Sequence, residues 1–189
     1  MIDHLAIALD HTSTVMHAVT DDQWTAPTPC HGWDVRHEAN HLVGGLRIYT
    51  AQLTGDSTGY DHDGTDWLGN DPAAAYDAAA TTDLGAWLRP GAMDTVFDLA
   101  FGRVPAEMSL VVHITEVLVH GLDLAVAIGH EELADGELSS WLLGLMRGMG
   151  TDSFRVPGIF DAERPAQPGA PAHRELLRYL GRDIAAVPA

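Results

Sequence analysis

The sequence predicts an all-α protein: an antiparallel four-helix bundle with a short fifth helix and an irregular Pro-rich C-terminal tail. Three observations lead there. Four long segments carry apolar residues at i, i+3 and i+4 spacing. Helix start and stop signals bracket most of them. Alternation of the strand kind is confined to one brief stretch near residues 94–101.

The first helix is expected over residues 3–19, where Leu5, Ala8, Leu9, Thr12, Val15, Met16 and Val19 share a face. A loop rich in proline follows and closes at Asp34, a good N-cap for a second helix running to about Leu53. That helix carries Val35, Ala39, Leu42 and Leu46, together with His37 and His41. Residues 54–70 form a Gly/Asp/Thr loop, and Asn70-Asp71-Pro72 opens a third helix with proline in its first turn. Arg89-Pro90-Gly91 ends it. A fourth helix spans about Pro105 to Ile128 and stops at Gly129. The fifth covers about Gly136–Met149, with Leu138, Trp141, Leu142, Leu145 and Met149 inward. Residues 156–172 wrap or trail, and 173–181 form a short terminal helix. The expected division is a bundle over 1–150 and an extension over 151–189.

The chain has 189 residues, enough for one domain with a sizeable core. Its formal charge is −17 and it contains no lysine. The ten arginines are scattered, so no basic stripe exists to neutralise a phosphate backbone, and nucleic acid is not an expected partner. Schiff-base chemistry and a Walker-A lysine are excluded. The N-terminal residues lack the blocks of a signal peptide, and no run of 18 apolar residues marks a membrane span. Cys30 is the single cysteine, which rules out an internal disulfide and fits a cytoplasmic setting. A monomer or a homodimer is compatible with this pattern.

The chemistry concentrates in His113-Ile-Thr-Glu116-Val-Leu-Val-His120-Gly-Leu-Asp123. At about 100° per residue, His113, Glu116, Val117, His120 and Leu124 share one stripe about 100° wide. Burying a carboxylate and two imidazoles on such a stripe is costly unless something compensates them. A divalent metal does so, and Glu116 and His120 stand one turn apart on one face. His41, on the second helix, supplies a third ligand. A His2Glu set of His41, Glu116 and His120 leaves a coordination position open. The spacing is not HExxH. His113 is a fourth ligand or a partner behind the ligands. A core histidine hydrogen-bonded to Glu116 explains the same pattern without metal, and His37 with His41 makes a rival pair. His4, His11, His17, His62, His130 and His173 are expected at the surface. Cys30 is either a small core thiol or a thiolate near a helix start. Gly44 and Gly45 admit either a ligand or a close helix neighbour. Trp24, Trp33 and Trp67 anchor the core or line a pocket.

Two stretches resemble a known family. Pro27-Thr-Pro-Cys-His-Gly-Trp-Asp-Val-Arg36 with Asn40-His-Leu-Val-Gly-Gly45 is similar to the second-helix signature of the DinB-like superfamily, in its mycothiol-dependent maleylpyruvate isomerase N-terminal branch. Phe101-Gly-Arg-Val-Pro-Ala and Thr115-Glu-Val-Leu-Val-His-Gly-Leu-Asp-Leu-Ala125 resemble the fourth-helix signature of that branch. Leu122 replaces the tryptophan common there. The resemblance implies a divalent metal, zinc first and nickel, iron or manganese as alternatives, on His41, Glu116 and His120. It also implies mycothiol or another low-molecular-weight thiol as cosubstrate. The expected function is metal-dependent thiol transfer to a small electrophile, with His113 or Asp123 as catalytic residues that orient a ligand or take a proton. The alternative is a metal-binding or stress-response module without turnover. The isomerase proper has a further C-terminal domain, which the short extension here does not match.

Overall fold

A computed structural model describes residues 1–56, 62, 64–99, 101–150, 155 and 160–184. Among the described residues six α-helices form: α1 (Ile2–Ala18), α2 (Val35–Thr54), α3 (Pro72–Trp87), α4 (Ala106–Ala127), α5 (Gly136–Met149) and α6 (Ala172–Tyr179). The starts follow local chemistry. Asp34, Asp71 and Asp135 each accept a backbone N–H of the first turn of α2, α3 and α5.

The first four helices are the bundle. α1 packs on α3 and α4, and α2 packs on the same two. Glu38 meets His120 while Tyr49 meets Ser109, so α2 and α4 are antiparallel. Thr12 bonds Val117 O and Gln23 bonds Ile128 O, so α1 runs with α4. Arg36 meets Asp66 just before α3, and Tyr49 meets Trp87 near its end, so α3 runs with α2. Two helices therefore run each way. Because α2 and α3 run the same way, the chain between them must travel back along the bundle, and this carries His62 and Trp67 across the face of α2.

The extended stretch near 94–101 becomes a two-stranded hairpin, β1 (Val96–Leu99) and β2 (Gly102–Pro105). The second strand lies where the sequence pattern pointed only to a helix start. Gln52 on α2 clamps β1: its Nε2 donates to Asp98 O and its Oε1 accepts from Asp98 N. Phe97 is buried from this hairpin against Trp87 and Tyr49.

α4 is the central helix. It is long and apolar enough to cross a membrane by length and hydropathy, but 72% of that window is buried inside the protein. α5 and α6 pack on each other beside it. The inward face of α5 is Leu138, Leu142, Leu143 and Met146, and Met149 is exposed, which rotates the expected face by about one position. Beyond the bundle, residues 160–171 run without regular structure into α6, whose Leu176 and Leu177 are buried. Residues 156–159, part of the expected proline-rich stretch, lie outside the described residues.

Candidate metal centre

The site is built where α2 and α4 cross. The loop before α2 folds back on itself: Thr28 N donates to Trp33 O, and Val35 N to Ala26 O. This brings the Trp33 ring over the imidazoles of His41 and His120, with centroids 4.7 and 5.6 Å away. Along α2, Val35, Glu38, Ala39 and Leu42 form the buried face, and His41 stands at its edge. His120 and Asp123 are buried on α4, and Glu116 is half-buried.

His41 Nε2 and His120 Nε2 both face Glu116 Oε2, at 3.6 and 3.3 Å. One ligand atom from each of these residues lies within 4.8 Å of the others. Both distances to Oε2 exceed the usual length of an N–H···O bond. They suit a shared ion: two ligand atoms about 2.0–2.1 Å from a tetrahedral metal stand about 3.3 Å apart. The other nitrogen of His120 is already engaged. Nδ1 is 2.6 Å from Glu38 Oε1, inside the core, so Nε2 is the atom left for a ligand. A carboxylate behind a histidine is the usual support of a metal-binding imidazole. The donor set therefore fits a divalent cation.

Electrostatics point the same way. Burial pushes the His120 imidazole down, but its contacts with the Glu116 and Glu38 carboxylates outweigh it and hold the group up at about 10. Burial raises Glu116, and its contacts with His120 and His41 bring it well below the usual carboxylate range. Without a cation, a proton on His120 balances the carboxylates. Cys30, Glu38 and His120 form a second cluster of possible ligands. Burial and the Glu38 charge push the Cys30 thiol up to about 12, so it stays protonated and ligates poorly.

A cavity of about 800 Å³ opens from the cluster. Trp33, His41, Glu116 and His120 share its wall with Phe160 and Arg182 from beyond the bundle. Arg182 Nε donates to Asp123 Oδ2 at 2.8 Å, and Asp123 is fully buried. Asp123 stands 3.8 Å from His120 Nδ1, so Glu38 holds that nitrogen. His113 is buried one turn before Glu116; its Nε2 is 2.8 Å from Asp83 Oδ2 on α3. It is not among the clustered ligand atoms.

Several histidines differ from the surface expectation. His62 stacks on His41 with centroids 4.0 Å apart and bonds His41 O. His173 is buried beside Glu131, and His4 stacks on Trp141. In each case a second element covers a ring that an isolated helix or loop leaves in water. His37 is exposed against Trp33, outside the cluster, so the rival pair does not assemble. Gly44 receives a loop: a Cβ there would stand 2.7 Å from His62 O and 2.9 Å from Trp67 Nε1.

Sequence reasoning missed Glu38, Asp83 and Arg182. Glu38 sits on an apolar face between Val35 and Leu42, and Asp83 precedes Trp87 by one turn on another. The signal that singled out Glu116 was present at both. Nothing local marks Arg182.

The fold is of the DinB-like kind. A crystal structure of the mycothiol-dependent maleylpyruvate isomerase superposes with a TM-score of 0.60 and 16% identity, over 81% of this chain and 69% of that one. The profile of the mycothiol maleylpyruvate isomerase N-terminal domain family matches residues 5–125, and the chain belongs to that family. Rv0738, an uncharacterized protein of Mycobacterium tuberculosis, is 31% identical across 94% of both chains. Rv0036c of the same organism is 30% identical over 57% of this chain and 48% of its own length.

Proposed function

We propose that the protein is a divalent-metal enzyme that transfers a small thiol, of the mycothiol type, to an electrophile in the cytoplasm. The observation that carries this is the convergence of His41 Nε2 and His120 Nε2 on Glu116 Oε2 at the wall of a cavity large enough for both substrates. Family membership supports the thiol, and the two-imidazole, one-carboxylate set favours zinc. A metal held there acidifies a thiol that reaches it. The residues do the rest. Glu38 fixes the His120 ring, and Trp33 covers the imidazoles. Asp123 acts at one remove by anchoring Arg182 in the cavity wall.

The test is elemental analysis of protein purified without a polyhistidine tag, alongside His120→Ala. Near-stoichiometric zinc in the wild type and its loss in the variant is the expected result. No metal after reconstitution overturns the reading. Bound metal with no thiol consumption across a panel of electrophiles leaves a binding module in place of an enzyme.

A further inference from the structure

The proposed ligand set leaves one buried histidine unused. His113 is 1% exposed, and its Asp83 partner is fully buried. An apolar pair of similar volume packs as well as a buried hydrogen-bonded polar pair and avoids the cost of desolvation. Stability therefore gives no reason for this pair. Its geometry gives another. Nε2 is tied to Asp83 Oδ2, so the ring is held with a proton on Nε2. Nδ1 makes no hydrogen bond with any described residue, yet it is not among the sealed, unpartnered atoms. His113 lines the same cavity as the metal cluster. Asp83 Oδ1 has no hydrogen-bond partner among the described residues, so no other donor neutralises that carboxylate.

We infer that Asp83 and His113 form a proton-accepting pair that serves the cavity through His113 Nδ1. The arrangement is a carboxylate behind an imidazole whose far nitrogen meets the reactants. His113 lies three residues before Glu116, about 4.5 Å along the helix axis, within one small molecule's length of the ligands. Besides Asp83 itself from α3, Tyr49 from α2 stacks on the ring with centroids 3.9 Å apart, and Tyr76 on α3 feels the Asp83 charge. Burial pushes the Tyr49 hydroxyl up, so it stays neutral and does not compete for the proton.

The identity of the proton donor rests on the function proposed above. The S–H bond of the thiol breaks and its proton moves to Nδ1, while the electron pair stays on sulfur. Sulfur then bonds the electrophilic carbon. Where the displaced electron pair settles on the adjacent carbon, that carbon takes the proton back from the imidazolium; where it departs on a halide, the proton passes to solvent. Asp83 holds the positive ring between the two transfers.

The test is acylation of the whole protein by diethyl pyrocarbonate, mapped by peptide mass spectrometry, in the wild type and Asp83→Asn. We expect His113 to be acylated in spite of its burial, and several-fold more slowly in the variant. An unmodified His113 in native protein whose exposed His17 and His37 have reacted fully overturns the inference. So does an unchanged rate in a folded Asp83→Asn. If that variant does not fold, the wild-type labelling still decides. A parallel assay follows mycothiol with chlorodinitrobenzene, where His113→Gln should lower kcat about 100-fold or more with little change in KM. No turnover by the wild type sinks thiol transfer alone, because the labelling reads the pair directly.

Discussion

Glu38 is the residue whose replacement separates a metal ligand's support from the ligand itself. Glu38→Gln keeps the shape but weakens the hold on His120 Nδ1, and metal affinity should fall about 10- to 100-fold, measured by competition with a chelator. His120 also sets a pH dependence. Its folded value, about 10, lies above the ordinary 6.5, so its proton stabilises the metal-free protein fully below about pH 6.5. That contribution is lost as the pH rises towards 10. Metal-free protein should therefore show a falling Tm across this window. The metal-loaded form should not share the fall, because the metal replaces the proton. A flat metal-free profile counts against the charged His120–Glu116–Glu38 cluster. At this scale the sequence was half legible. Glu116 and His120 declare themselves because they share an apolar stripe on one helix. Their link to His41 rests on a helix crossing that periodicity does not contain, and the choice of Glu38 over Asp123 rests on side-chain directions at that crossing.

Helix positions were read almost to the residue where local chemistry marks them: Asp34 and Asp71 before α2 and α3, and glycine after α4. The hairpin was half read, since β2 has too few residues to show a period and is held only through its pairing with β1, which Gln52 clamps from α2. The return from α2 to α3 was the least legible connection, and it matters most to the site. Its passage across α2 is possible because Gly44 has no side chain. Gly44→Ala should force His62 and Trp67 away from the helix at a cost of about 1–3 kcal/mol, seen as a lower denaturant midpoint. Because His62 stacks on His41, metal affinity should drop in the same variant. A variant that loses neither stability nor affinity would show that the loop does not support the site.

The molecule as a whole carries a strongly negative charge, yet its centre depends on a few cations. Arg182 is one, and it reaches the bundle from beyond α6 to meet Asp123. Arg182→Gln should cost about 3–5 kcal/mol in denaturant unfolding, because a buried carboxylate is left without its partner. Pairing it with Asp123→Asn should restore most of that loss. Equal stability of the single and double variants would place the pair outside the cooperative core. The sequence did not show this contact, since a tail arginine has no periodic neighbours to mark its partner. The contact also orders events in time. On the ribosome Asp123 appears long before Arg182, so a nascent chain can assemble α1 to α4 while that carboxylate still lacks its counter-ion. One side of the cavity is open at that stage. Competence to hold a small molecule thus arrives late in synthesis, when Arg182 emerges and the wall closes behind it.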